Sequence, residues 1–245
     1  MICPGLFWVL SVPVFIVLYS LTAVTVIILI PFAYLRAGGV VRSGIAIWAK
    51  ASFLIMLKRL RISGKQYLEK GQRYILLANH SSLFDILAIM AFYPGVSWFG
   101  KEYLARIPVF GIMLKMINYV PMKAADLRNT REMIASLAEK SLGHTVAIFP
   151  EGTRTIDGNI NKFRKGFLHL MRASELSLLP VTLNGFYSFK PKNRFHINFR
   201  ARLDVTVHEP IHPDQLAEMT DLEIIGLVRG VIESAYKQKM IYEQN

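Results

Sequence analysis

Residues 1–35 of this 245-residue chain contain no charged side chain. Such a run must be covered by protein or by lipid. As a helix, Gly5 to Leu35 reaches about 45 Å at 1.5 Å per residue, and the hydrocarbon core of a bilayer is about 30 Å thick. Pro13 and Pro31 mark points where the helix bends or ends. A cleaved signal peptide fits poorly: no basic residue precedes the run, the run is too long, and no small-residue cleavage site follows. Gly38-Gly39 then permits a turn. Ile45–Leu57 is a second apolar segment, interrupted by Lys50. It is too short and too charged to span, and it reads as a returning interfacial helix. Residues 1–59 are thus expected to form a two-helix membrane anchor, ahead of a domain over 60–245.

The charge pattern agrees with that anchor. Arg36, Arg42, Lys50, Lys58, Arg59, Arg61 and Lys65 all precede the first acidic residue, Glu69. A basic collar of this kind is expected against anionic head groups on the cytoplasmic side, the alternative being a solvated, charged linker. The whole chain carries a net charge of +12 and is 53% hydrophobic. A basic chain favours an anionic partner, and the apolar start selects membrane lipid. Nucleic acid is not expected as a partner, because no aromatic residues interleave a basic repeat. The lone cysteine, Cys3, excludes an internal disulfide and a cysteine metal cluster. No metal is expected.

From Leu60 the pattern alternates between strands and helices. Tyr74–Ala78, Val96–Phe99, Tyr119–Pro121, Val146–Phe149, Leu178–Leu183 and His196–Val207 read as strands. Leu83–Phe92, Val109–Ile117 and Arg128–Leu142 read as helices, as does a segment around Phe163–Met171. Thr220 and Glu223 form a capping box that opens a last helix to about Lys237. The alternation predicts an α/β fold with a mixed, largely parallel sheet flanked by helices.

Two polar clusters follow apolar strands. In Asn79-His80-Ser81-Ser82-Leu83-Phe84-Asp85, one turn of chain can fold back so that Asp85 meets an imidazole nitrogen of His80. That contact fixes the tautomer and leaves the other nitrogen to deprotonate a hydroxyl. Ser81 and Ser82 read as capping residues. In Phe149-Pro150-Glu151-Gly152-Thr153-Arg154, glycine lets the backbone approach an anion and arginine can grip phosphate bidentately. If the two strands are parallel neighbours, both clusters share one carboxyl edge, where open α/β sheets bind ligands. Lys162, Arg164 and Lys165 either extend that anion site, meet lipid, or form a solvated face. His144, His169, His196, His208 and His212 read as structural. Trp8, Trp48 and Trp98 read as packing or interface residues.

These blocks together resemble the glycerolipid acyltransferase superfamily, specifically the 1-acyl-glycerol-3-phosphate (lysophosphatidic acid) acyltransferases. Asn79, His80 and Asp85 match its Asn-His-x4-Asp block. Gly100, Lys101, Leu104, Pro108 and Gly111 match a second block, residues 149–154 a third, and Leu178-Leu179-Pro180-Val181 a fourth. The resemblance implies that His80 is the general base for the sn-2 hydroxyl of lysophosphatidic acid, and that Asp85 orients it. It implies that Lys101 and Arg154 hold the substrate phosphate in a pocket shaped by Gly152 and Thr153. Glu151 belongs to the same pocket, either bonding the glycerol moiety or bracing Arg154. The co-substrate is an acyl thioester of acyl carrier protein or of coenzyme A, with no cofactor. Amides at the start of the His80 helix are expected to stabilise the oxyanion. The expected product is phosphatidic acid, made at the cytoplasmic face of a membrane, the inner membrane in a bacterium. A different acceptor, such as glycerol 3-phosphate or another lysophospholipid, stays open. So does a tethered lipid-binding or carrier-binding protein without catalysis.

Overall fold

The computed structural model describes residues 4–69, 71–116, 119–122 and 144–237. Two helices lead, α1 (Pro4–Tyr34) and α2 (Gly38–Ile55). After them come β1 (Leu60–Ser63), β2 (Tyr74–Ala78) and α3 (Phe84–Phe92). Next are β3 (Val96–Lys101), α4 (Glu102–Ala105), α5 (Phe110–Met116), β4 (Val120–Met122) and β5 (Thr145–Ile148). The described chain closes with α6 (Gly166–Ser174), β6 (Ser177–Asn184), α7 (Phe186–Phe189), β7 (Leu203–Val207) and α8 (Asp221–Ser234). The expected helix over residues 128–142 lies outside the described residues.

The strands form one sheet in the order β1-β7-β6-β2-β5-β3-β4. The run from β6 to β4 is parallel throughout. β7 turns back against β6, and β1 follows β7 in parallel. The sheet is therefore mixed and mostly parallel, with helices on its faces. Among the described strands β4 lies at the edge of the sheet, where the missing N–H of Pro121 breaks no central ladder.

β2 sits at the centre and is buried at every position. Its odd and even residues face different layers, as a period of two requires. Tyr74, Leu76 and Ala78 join a core with Ile45, Trp48, Phe53 and Ile89. Ile75 and Leu77 join a second core with Phe167, Leu170, Val228 and Ile232. This double burial explains why β2 reads as an unbroken apolar run rather than an alternating one.

Both leading helices are long and apolar enough to cross a membrane. α1 leaves large apolar residues exposed along its length, among them Val9, Ile16 and Ile27. α2 differs from the expected interfacial helix. It starts at Gly38 rather than Ile45, because Gly38 and Gly39 open the helix after the turn at residues 35–37. Its inner face, Val41, Ile45, Trp48, Ala49, Ser52 and Phe53, is buried in the main core. The Trp48 indole donates to Thr22 Oγ1 on α1 at 3.1 Å.

The anticipated strand over 196–207 shortens to Leu203–Val207. Residues 195–201 are drawn elsewhere. The buried Lys58 ammonium donates to the carbonyls of Phe199 (2.5 Å) and Ala201 (2.7 Å). The Ile197 amide donates to Ser11 Oγ on α1 at 2.8 Å. Those backbone groups are thus taken by partners from outside the sheet. The capping box of α8 is present: the Thr220 amide donates to Glu223 Oε2 at 2.7 Å, and Thr220 Oγ1 accepts from the Glu223 amide.

Candidate active site

β2 and β5 are adjacent and parallel, with Leu77 opposite Ile148. Their carboxyl ends release the His80 loop and the Glu151 loop side by side. Asn79 fixes the first loop as it leaves the sheet. Its carboxamide oxygen accepts the Leu183 amide at 2.8 Å, and its nitrogen donates to the Leu183 carbonyl at 3.0 Å. The side chain thereby extends the β2–β6 ladder by one rung.

His80 Nδ1 lies 2.8 Å from Asp85 Oδ2. The same oxygen accepts the amides of Ser81 (2.7 Å) and Ser82 (2.8 Å). An oxygen already accepting two N–H groups accepts the third as well, so Nδ1 carries the proton and Nε2 is the basic nitrogen. Asp85 sits in the first turn of α3, where a carboxylate is favoured by the helix dipole. Asp85 is fully buried, while the His80 side chain keeps 14% of its surface exposed. The ring can therefore exchange a proton with a substrate, and its partner cannot.

The second loop holds the first. Glu151 Oε1 accepts the His80 amide at 2.6 Å, and the Thr155 amide donates to the His80 carbonyl at 2.9 Å. Glu151 Oε2 accepts the Asn161 amide at 2.8 Å. Both polar backbone groups of His80 are thus bound by the Glu151–Thr155 turn. Burial pushes the Glu151 carboxyl up to about 7, against the pull of these amides. This differs from the expected phosphate pocket: the carboxylate is buried beneath the histidine loop and braces its backbone. The Phe149 ring stacks on the imidazole at 3.8 Å and 9°, and Trp98 backs Phe149 at 5.6 Å.

Gly152 makes the turn possible. Its φ is +71°, and a Cβ there would come within 3.0 Å of the Arg164 guanidinium. Gly152 and Thr153 are exposed, and Arg154 is half-buried. Burial lowers the Arg154 guanidinium, while the Asp85 carboxylate and the Tyr103 hydroxyl pull it upward. Lys101 ends β3 at the same carboxyl edge; its side chain lies outside those described.

Sequence reasoning missed Lys190. Its carbonyl accepts Ser82 Oγ at 2.7 Å, which ties the loop after β6 to the His80 loop. Burial lowers its ammonium, and the positive charges of Arg154 and Arg194 lower it further. No motif flags this residue, because only the pairing of β6 with β2 brings it to the site. Two other expectations become narrower. The amides of Ser81, Ser82, Phe84 and Asp85 are already engaged within the loop, which takes these four from the expected oxyanion role. Lys165 pairs with Asp221 of α8 at 3.4 Å on the exposed surface, as one of the open readings, a solvated face, has it. Among the described residues no group of three His, Cys, Asp or Glu side chains forms a metal-ligand set.

Residues 59–184 match the acyltransferase family model. The chain belongs to the acyltransferase family. Its relatives include a 1-acyl-sn-glycerol-3-phosphate acyltransferase from Cocos nucifera, 29% identical over 196 residues, which are 77% of this chain and 60% of that one. A chloroplastic enzyme of the same name from Arabidopsis thaliana is 28% identical over 168 residues, covering 68% of this chain and 47% of its own length. This acyltransferase chain thus spans about half to three fifths of the curated relatives it matches. The crystal structure of the 1-acyl-sn-glycerophosphate acyltransferase from Thermotoga maritima superposes with a TM-score of 0.69 at 26% identity, over 87% of this chain and 92% of that one.

Proposed function

We propose that this acyltransferase moves a fatty acyl group from an acyl thioester to the sn-2 hydroxyl of lysophosphatidic acid, giving phosphatidic acid. The observation that carries the reading is the His80–Asp85 pair, 2.8 Å apart, at the same sheet edge as the Arg154 turn. The printed names of its relatives and of its structural neighbour support the acceptor.

In this reading His80 Nε2 takes the hydroxyl proton while Nδ1–H stays on Asp85. The alkoxide oxygen attacks the thioester carbonyl and forms the ester C–O bond. The C–S bond breaks, and the imidazolium returns its proton to the departing thiolate. No enzyme-bound acyl group is required. A positioned base of this kind contributes about 10² to 10⁴ in rate. Arg154 and Lys190 supply positive charge for the acceptor phosphate, with Lys101 from the neighbouring strand end. The donor is the thioester of acyl carrier protein or of coenzyme A, and no further cofactor takes part.

The leading helices bring the site to the membrane, on its cytoplasmic face. Trp8 and Ser11 of α1 contact the loop beside the active site, while Leu29, farther along α1, packs on Gly44 of α2. A helix held at both places by its own domain lies along the lipid surface rather than leaving the domain to cross it. The test is a matrix of acceptors against donors in detergent, with His80→Ala as control. Acylation of lysophosphatidic acid that survives in that variant sinks the mechanism; preference for a different acceptor sinks the substrate.

A further inference from the structure

The opposite edge of the sheet carries a second cationic feature. Gln72 and Arg73 lead into β2, Gly95 into β3 and His144 into β5, so their common cavity lies at the amino edge. The first turn of α2 closes it with Gly39 and Arg42. Its volume is about 650 Å3, within the usual range for small-ligand sites. Arg73 and His80 are seven residues apart along an extended strand, which puts the cavity about 20 Å from the imidazole.

Among the described residues no carboxylate lines the cavity. Neither Arg42 nor Arg73 has an ion pair among the described residues. Arg42 runs between two glycines: a Cβ on Gly38 would stand 3.3 Å from its Nη1, and one on Gly95 would stand 3.4 Å from its Cδ. The Tyr93 hydroxyl is spent on the Gln72 carbonyl and on Thr145 Oγ1, so it fixes the wall. The charged or titratable groups that face a ligand are two guanidiniums and the His144 ring, with the Ser43 hydroxyl and the Gln72 carboxamide beside them. Two guanidiniums over one concave site suit a phosphate ester.

We propose that this cavity binds the phosphate headgroup of an anionic membrane lipid. Its rim lies just beyond the end of α1, where Tyr34 is 88% and Leu35 72% exposed. A lipid whose phosphate enters the cavity can thus lay its chains along α1. An apolar helix lying in a bilayer leaves the domain free to roll about the helix axis. A headgroup held at the far edge stops that roll and sets the height of the His80 edge above the lipid.

The experiment is vesicle flotation, with phosphatidylcholine alone and with phosphatidylglycerol admixed. Arg42→Gln/Arg73→Gln is compared with Arg59→Gln/Arg61→Gln, a collar pair that does not line the cavity, with equal loss of charge. All four side chains are exposed, and melting curves check that both variants fold. The cavity pair should lose about tenfold in affinity for the anionic vesicles, and the control pair less than about twofold. Activity in neutral detergent micelles should be unchanged in both. Equal losses in the two pairs would mean diffuse attraction and would overturn the site. Stabilisation by inorganic phosphate that the cavity pair abolishes, without any change in vesicle binding, would reassign it to a free anion. Loss of micellar activity in the cavity pair would make its role structural instead.

Discussion

The Phe149 ring lies flat against the imidazole of His80, with centroids 3.8 Å apart and planes 9° from parallel. Phe149 ends the apolar run that leads into the Glu151 turn, so the second motif sets the orientation of the ring in the first. Asp85 fixes one ring nitrogen and Phe149 fixes the ring plane. Phe149→Leu keeps the apolar bulk and removes the flat face. It should lower kcat by about tenfold while changing acceptor KM by less than about twofold. Steady-state kinetics read both, and an unchanged kcat would show that Asp85 alone orients the ring.

His80→Ala should remove at least about 10³-fold of the acyl-transfer rate. Asp85→Asn keeps an acceptor for the Ser81 and Ser82 amides but takes the charge from beside the imidazolium. Its kcat should fall by about 10² to 10³ with the fold intact. Thiol release measured with a chromogenic reagent, beside a melting curve, separates chemistry from folding.

Arg154→Ala and Lys190→Gln should each raise the KM for lysophosphatidic acid by about tenfold or more. For an acceptor without a phosphate monoester the change should be small. Equal effects on both acceptors would place Lys190 outside the phosphate site.

Glu151 makes stability depend on pH. Burial raises its folded pKa from the ordinary carboxyl value of 4.5 to about 7. The carboxyl therefore binds its proton more tightly in the folded state than in the unfolded one. Its stabilising contribution is complete below about 4.5 and is lost as pH rises through about 7. The loss is on the order of 3 kcal/mol. Glu151→Gln should flatten that slope, seen in melting temperatures at the two ends of the range. It should also lower activity, since one of the two amides that Glu151 accepts loses its partner.

Lys58 gives a separate test of the anchor junction. Its ammonium, lowered by burial to about 8, holds the carbonyls of Phe199 and Ala201. Lys58→Met leaves buried acceptors unpaired and should cost about 1 to 3 kcal/mol. Proteolysis within residues 195–201 should accelerate along with that loss.

Much of the architecture was legible in the residues themselves. β2, α3 and the α8 capping box stand close to where periodicity and turn chemistry put them, because those signals are local. The 196–207 segment misled, since its strand-like residues are claimed by Lys58 and Ser11 from 141 and 186 residues away. Glu151 misled in another way. Its place in a phosphate-gripping turn suggested substrate, but its oxygens accept the amides of His80, 71 residues upstream, and of Asn161.

The sequence by itself determined an uncharged amino-terminal run that needs cover, a sheet of mostly parallel strands, and a histidine whose carboxylate partner sits one turn on. Spacing within a few residues suffices for each. Only the tertiary structure decided that β5 lies beside β2, that Phe149 faces the imidazole, that Lys190 comes near Arg154, and that Arg42 and Arg73 line one cavity at the amino edge of the sheet. Those contacts join segments far apart in the chain, and the order in which strands pair brings them together.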